Sequence, residues 1–508
     1  MHPRDHAITT PDKPAYIMAG SGGVVTYKQL DERSNQGAHL LRATGLRAGD
    51  MVALFMHNSA RFMEITWSAQ RSGLYYIGVP TRLTATELNY LLRDSGAKAL
   101  IYSADLEEVA LAASRGLDNL ARFSVDSSGL DREDFAAQRS AMPTTPITDE
   151  SPGQDMLYSS GTTGAPKGIK RPRPEGAIDE PSPVTNLASA LYGQDKNTIY
   201  LSPAPLYHAA PLRFCMAVHQ LGGTDIIMEK FDPVQALDLI QKFQITHAQW
   251  VPTHFVRMLK LPQDVRERYD MSSLRCVYHA AAPCPIEIKR QMLEWWGPIV
   301  HEYYSSTELN GLTAATAAEW IDHPGTVGRS VIGEIKICDE HGEPVPPRTE
   351  GLVYFANGNP IEYHGDPEKT RQAYNQYGWT TVGDIGWVDE EGYLYLTDRQ
   401  SFMIISGGVN IYPQEIENLL VSHPEVADVA VIGAPDPDMG ERVVAVVQPV
   451  DPDADRAKLA ETLQVYARAN LSGYKIPRTI DFRDILPREP TGKLFKRLIR
   501  DEYRRAAQ

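Results

Sequence analysis

The sequence predicts an α/β fold, with a large N-terminal domain of mostly parallel sheets and helices followed by a small α+β domain. Three observations carry this expectation. The chain has 508 residues, enough for two to four domains with a substantial core. Apolar runs resembling buried strands, MVALFMH from Met51, KALIYS from Lys98 and TDIIMEK from Thr224, alternate with helical patterns, as parallel sheets require. Composition then shifts near residue 398, where a shorter unit of about a hundred residues begins.

In chain order, two Pro-rich loops interrupt the first half, PTTPITDESPG from Pro143 and RPRPEGAIDEPSP from Arg171. The strand-like GYLYLTDR leads to a boundary dividing residues 1–398 from 399–508. Beyond it Pro413 suits a helix's first position, and Ile416, Leu419 and Leu420 recur at helical spacing. AVIG and VVAVVQPV read as strands, and Leu463, Tyr466 and Ala467 mark a second helix. No internal repeat interrupts this order.

Composition excludes several classes. Apolar residues at 42% and charged residues at 23% match neither a disordered chain nor a coiled coil. Fifty Lys and Arg against 65 Asp and Glu give a net charge of -15, which argues against nucleic-acid binding. An anionic substrate must therefore meet local positive charge. The four cysteines, Cys215, Cys276, Cys284 and Cys338, lack metal-ligand spacing and point to a reducing compartment. With no leader pattern and no long apolar run, the sequence reads as cytoplasmic, with no membrane span.

Four segments carry chemistry. YSSGTTGAPKG from Tyr158 combines glycines, which let N–H groups turn inward, with hydroxyls and Lys167, a set suited to a polyphosphate. It cannot be laid on GxxxxGK[ST], and a solvated linker is the alternative. HEYYSSTE from His301 offers an aromatic face for a purine, hydroxyls for a phosphate and a carboxylate for magnesium, or else a capped turn at a strand end. Asp384, flanked by glycines in GWTTVGDIGW, suits ribose hydroxyls at a strand end, or bonds its own turn. PREPTGKLFKRLIR from Pro487 sets Lys493 after a Thr-Gly turn. From Arg488 to Arg505, seven residues are basic and three acidic, a reversal of the chain's overall sign that otherwise reads as a solvated face.

YSSGTTGAPKG, YYSSTE, the GD of TTVGDIGW, DRQSFMIISGGVNIYPQEIE and PREPTGK stand in the order and approximate spacing of the acyl-adenylate-forming superfamily, which the chain resembles from Thr26 to Lys493. That superfamily includes acyl-CoA synthetases, luciferases and adenylation domains, and the wording is most similar to bacterial fatty-acyl-CoA synthetases. The resemblance implies that a carboxylate attacks the α-phosphate of ATP to give acyl-AMP, after which a thiol takes the acyl group. It implies ATP, Mg2+ and coenzyme A as co-substrate, and a mobile C-terminal domain.

Carried over by motif, Ser159, Ser160, Gly161, Thr162, Thr163, Gly164 and Lys167 cradle the β- and γ-phosphates, with Thr162 also near the metal. Glu302, Tyr303 and Tyr304 belong to the nucleotide site, Tyr304 against adenine, with Ala281, Ala282 and Pro283 lining the base and the acyl head. Thr307 contacts the α-phosphate, Glu308 holds magnesium, Asp384 binds the ribose with help from Arg399, and Lys493 bridges the carboxylate and the α-phosphate. Gly407 and Gly408 leave room for the pantetheine arm, Ser401 is the hinge, and His208 gates the acyl pocket or is a packed loop histidine.

Two departures stand out. Ser305 replaces a frequent Gly, which implies a stiffer backbone or a shallower acyl pocket. Ser401 and Phe402 replace the usual hinge residues, so a charged anchor is missing. Amino-acid adenylation domains of the resembled superfamily pair the α-ammonium group with an early pocket aspartate, and the corresponding SPAPLYHAAPLRF from Ser202 contains no acid, so the resemblance argues against an amino-acid substrate. Arg213 could meet a polar acyl tail or merely a surface acid. The leading expectation is an ATP-dependent acid:CoA ligase acting on a fatty or other hydrophobic acid. The alternatives are transfer to an amine or a carrier protein, and a non-catalytic nucleotide-binding regulator, against which Glu308 and Lys493 together argue. A homodimer stays open.

Overall fold

In the computed structural model, which describes residues 1–126, 134–159, 167–488 and 494–506, helices and strands alternate along the chain as the apolar runs predict. Two compact units are distinguished. One comprises Met1–Gln249, Glu267–Val277 and Glu362–Lys369, the other Trp250–Arg266, Tyr278–Ile361 and Thr370–Gln508.

Among the described residues, three sheets supply strands to the first unit: two carry its core, and the third pairs Leu157–Ser159 with Lys167–Ile169. In one, Met51–Phe55 pairs in parallel with Tyr75–Gly78 and Ala99–Ser103, and the latter with Ala121–Val125. These strands bury both faces, which is why they read as unbroken apolar runs. Leu100, Tyr102, Phe55 and Ile77 pack with Leu88, Leu91 and Leu92 of the helix Ala85–Ser95. In the other sheet Ile199–Ser202 lies in parallel beside Thr224–Ile227, which lies beside Pro14–Met18. Several helices start on side-chain caps, for instance the one after Thr84, which accepts from the Glu87 amide while the Glu87 carboxylate reaches back to Thr84.

In the second unit Val300–Ser305 pairs antiparallel with Leu312–Ala315, and Glu334–Cys338, Gly351–Ala356, Asp384–Val388 and Leu394–Arg399 form an antiparallel sheet. Val327, Ile337, Val353, Phe355 and Leu394 form its core, and Tyr304 packs against them. Residues 404–482 supply a sheet of five strands, among them the long pair Val426–Asp436 and Gly440–Pro449. The helix expected at Pro413 runs Pro413–Val421 and buries Ile416 and Leu420, while Leu419 is only partly covered. The second expected helix is Arg456–Asn470, with Leu463 and Ala467 buried. Among the described residues, no helix is long and apolar enough to cross a membrane.

Candidate active site

In the second unit, the strand Val300–Ser305 ends in the turn that carries Thr307 and Glu308, and the chain returns through Gly311 to the pairing strand. Three bonds fix this turn. The Ser305 hydroxyl donates to the carbonyl of Gly311 at 2.7 Å, Ser306 donates to Asn310 Oδ1 at 2.9 Å, and Asn310 Nδ2 donates to Thr380 Oγ1 at 3.2 Å. The Ser305 hydroxyl thus ties the end of the strand to the returning chain. A Cβ on Gly311 would stand 2.1 Å from the Phe355 ring, which accounts for glycine there.

Tyr304 projects toward Asp384. Its hydroxyl donates to Asp384 Oδ2 at 2.6 Å, while Arg399, the cross-strand partner of Asp384, donates from Nε to Oδ1 at 2.8 Å. Burial, reinforced by the Asp384 charge, raises the Tyr304 phenol well above its ordinary range. Asp384 in turn holds the Arg399 guanidinium more firmly charged. Phe355 lies behind the Tyr304 ring, with centroids 6.3 Å apart and planes within 26° of parallel. The buried Glu308 carboxylate acts electrostatically on both Tyr304 and Arg399, so these four residues share one locality.

Ala281 has φ of +73°, a left-handed conformation that costs a residue with a Cβ about 1 kcal/mol. Ala281 and Pro283 are exposed and Ala282 is half-covered, so this segment presents a polar backbone and small apolar groups. Glu302 departs from expectation. Its carboxylate is buried against Lys289 Nζ at 2.6 Å, with His279 Nε2 at 3.4 Å, so its side chain serves a structural ion pair. Tyr303 is also buried, its ring 6.3 Å from that of Tyr278.

Gly407 and Gly408 form the two-residue turn between Ile404–Ser406 and Val409–Ile411, with φ of +57° and +80°. Positive φ at both central residues is the signature of a type I′ hairpin, a local reason for both glycines. Beside a Cβ on Gly408 nothing stands within 4 Å, whereas one on Gly407 would meet Met439 Cε at 2.4 Å. Ser401 lies in a short 3-10 turn, Gln400–Phe402. There Arg500 Nη1 donates to the Ser401 carbonyl at 3.1 Å, and the Lys496 ammonium sits 5.1 Å from the Phe402 ring centroid. The last helix thus supplies a main-chain contact at the position where a charged hinge side chain is missing.

In the first unit, Lys167 opens the strand Lys167–Ile169 and its Nζ pairs with Asp366 Oδ2 at 2.7 Å. Asp366 also accepts from the backbone of Lys369 at 3.0 Å, so one carboxylate caps a helix start and holds the lysine. Tyr158 donates to Asp94 at 2.7 Å, and for Ser159 the backbone strand alone is described. Ser160, Gly161, Thr162, Thr163 and Gly164 lie outside the described residues, as does Lys493.

His208 immediately precedes the helix Ala209–Leu221, its ring 4.6 Å from that of Tyr207. Arg213, on that helix, does not wait for a substrate. It donates from Nη2 to the buried Asp155 at 2.6 Å, and Arg171 takes the other carboxylate oxygen at 2.9 Å. Burial alone would raise the Asp155 carboxyl, but the two guanidiniums prevail and bring it to about 2. Asp155, Asp366 and Lys289 escaped the sequence reading because each lies outside the motifs. Asp366 alone left a trace, an Asp before Pro at a helix start.

A family model described as AMP-binding enzyme matches residues 4–360, and one described as AMP-binding enzyme C-terminal domain matches residues 415–493. The chain is 32% identical to the long-chain-fatty-acid–CoA ligase FadD13 of Mycobacterium tuberculosis, over 98% of this chain and 97% of that protein. It is 33% identical to a feruloyl-CoA synthase of Amycolatopsis, over 95% and 94%. Among solved structures, the amide bond synthetase McbA from Marinactinospora thermotolerans superposes with a TM-score of 0.80 at 26% identity, covering 97% of each chain.

Proposed function

From the premise that this chain belongs to the AMP-binding enzyme family, we propose that Tyr304, Asp384, Arg399 and Glu308 form the nucleotide end of its active site. The enzyme is an ATP-dependent acid:CoA ligase that works through an acyl-AMP, using ATP, Mg2+ and CoA. The observation that carries the assignment of the site is the shared carboxylate of Asp384, held from both sides by Tyr304 and Arg399 at 2.6 and 2.8 Å.

The chemistry must bring one anion to another, so the site has to neutralise charge where it develops. Lys167 and the hydroxyl loop before it are assigned to the β- and γ-phosphates, Thr307 to the α-phosphate and Asp384 to the ribose hydroxyls. Tyr304, backed by Phe355 and fixed at its hydroxyl, offers a rigid platform for the base. Glu308 fits a magnesium ligand, since magnesium favours carboxylate and phosphate oxygens over an all-protein cage. When bound, the ion neutralises phosphate charge. Lys493 is assigned the carboxylate and α-phosphate during adenylation, and residues 399–508 the movable lid around hinge residue Ser401. Gly408 is assigned to the passage for the pantetheine arm, and His208 to the entrance of the acyl pocket.

The substrate is read as a hydrophobic carboxylic acid, of fatty or aryl type. The names of the fatty-acid and feruloyl relatives support this, and so does Arg213, which is committed to Asp155 and leaves no reason to expect a charged acyl tail. The test is pyrophosphate release with ATP, Mg2+ and a panel of fatty, aromatic and steroid acids, with and without CoA. Acid-dependent release with thioester formation is expected. Absence of release across the panel would overturn the reading. A second reading, transfer of the acyl group to an amine, draws on the McbA likeness and on a hinge without a charged side chain. Acyl-AMP without thioester in the presence of CoA, and amide when amines are supplied, would select it.

A further inference from the structure

On the reading above, that residues 399–508 move about Ser401 between the two half-reactions, we propose that Asp398 is a positioning residue for this lid. From the strand just before the hinge it caps the helix Pro413–Val421 just after it. It thereby favours the arrangement that forms acyl-AMP over the one that forms thioester.

A helix start leaves backbone N–H groups without intrahelical partners, and a side chain at the cap position commonly accepts from one of them. The helix Pro413–Val421 lacks that device, because its cap residue, Tyr412, makes no side-chain cap bond. The acceptor comes instead from across the hinge. Asp398 Oδ2 accepts from the Gln414 amide at 2.9 Å, while Oδ1 accepts from the Arg399 amide at 2.6 Å and fixes the carboxylate. Asp398 is buried, so water competes little for this bond, and a carboxylate at a helix N-terminus also meets the positive end of the helix dipole. Glu350, which accepts from Thr397 Oγ1 at 2.9 Å, reaches the Tyr412 hydroxyl as well, so a second acid from before the hinge holds the same helix start.

Asp398 and Arg399 are successive residues of the strand Leu394–Arg399, and alternation sends their side chains to opposite faces. Arg399 holds Asp384 at the nucleotide end, and Asp398 holds the lid helix. One strand end therefore joins the residue assigned to the ribose with the helix that must let go when the lid turns. The glycine turn tells which arrangement the cap belongs to. Gly407 and Gly408 are exposed, so the residues assigned to the pantetheine passage face solvent while the cap is made. The cap thus stabilises the arrangement of the first half-reaction selectively, and its loss shifts the balance toward the second.

The test compares wild type with Asp398→Ala and with Asp398→Asn, which retains an oxygen able to cap. It measures acyl-AMP formation by pyrophosphate release with dodecanoate, or ferulate where the wild type prefers it, and separately thioester formation from the corresponding synthetic acyl-AMP and CoA. For Asp398→Ala, adenylation kcat is expected to fall about 5- to 30-fold, the size of a lost cap, with KM for ATP within about 3-fold, while thioester formation keeps its rate or rises. Asp398→Asn is expected to lie between Asp398→Ala and wild type. Unchanged adenylation in Asp398→Ala would overturn the proposal. A loss confined to KM for ATP would do so too, because it places the effect at Arg399 and the nucleotide. Equal loss in both half-reactions with a lowered Tm also overturns it, since that marks a merely structural role. The wild type separates the two levels: no acid-dependent pyrophosphate release from it overturns the ligase reading and this proposal together. If the wild type performs both half-reactions and Asp398→Ala matches it in each, this proposal alone falls.

Discussion

The Tyr304 hydroxyl donates to Asp384 Oδ2 at 2.6 Å, joining residues 80 positions apart into one hydrogen-bonded unit whose other arm is Arg399. A hydrogen bond to a charged group is worth about 1.5 kcal/mol or more, roughly a tenfold change in affinity. Tyr304→Phe is therefore expected to raise KM for ATP about tenfold with a smaller change in kcat. Asp384→Ala, which strips Arg399 of its partner as well, should lose more in the same assay. A Tyr304→Phe enzyme with wild-type KM for ATP would place the nucleotide elsewhere.

Asp155 is a stability determinant. Asp155→Asn leaves two guanidiniums facing one neutral amide, and breaking a buried pair in this way costs about 3 kcal/mol, read as a lower urea midpoint at pH 7. The carboxyl sits at about 2, below its unfolded value near about 3.9. The unfolded chain thus binds more protons between those values. The stabilisation is complete above about pH 4 and is lost as pH falls through 2, so the gap between wild type and Asp155→Asn should narrow over that window.

Lys167 and Asp366 are both partly exposed, so their ion pair should contribute under about 1 kcal/mol to stability. Lys167→Ala is accordingly expected to leave the urea midpoint nearly unchanged while raising KM for ATP about tenfold. A large loss of stability with unchanged KM would assign the lysine to structure.

Gly408 separates backbone from passage. A Cβ there meets nothing within 4 Å, so Gly408→Ala should cost only the left-handed strain of about 1 kcal/mol in stability. If the pantetheine arm passes this residue, thioester formation from acyl-AMP slows well beyond that cost while adenylation does not. Gly407→Ala, which adds the collision with Met439, should be the less stable of the two.

The sequence made the strands of the first unit legible because full burial turns them into unbroken apolar runs, and the helix at Pro413 because proline and apolar spacing agree there. The motif residues of the site were legible because they lie within short segments. Their partners were not. Asp366 is 199 residues from Lys167, and Asp155 is 58 from Arg213, so no local pattern could join them. Arg213 shows the consequence, a cation that the sequence left between an acyl tail and a surface acid and that a buried acid holds in the fold. Glu302 failed for a related reason, since strand alternation puts it on the same side as Tyr304 but the pairing Lys289 comes from a separate helix. The paired glycines carried a second meaning, visible as a two-residue turn between short strands, that a tunnel alone would hide.

The left-handed Ala281 sets stability and activity against each other. Glycine at 281 would relieve the backbone and, by that measure, make a sturdier protein by up to about 1 kcal/mol. It would also release the exposed methyl and loosen the segment assigned to line the base and acyl head. Selection for thermal tolerance and selection for turnover should therefore pull this one residue in opposite directions, and a library scored on each trait in turn would part company at Ala281.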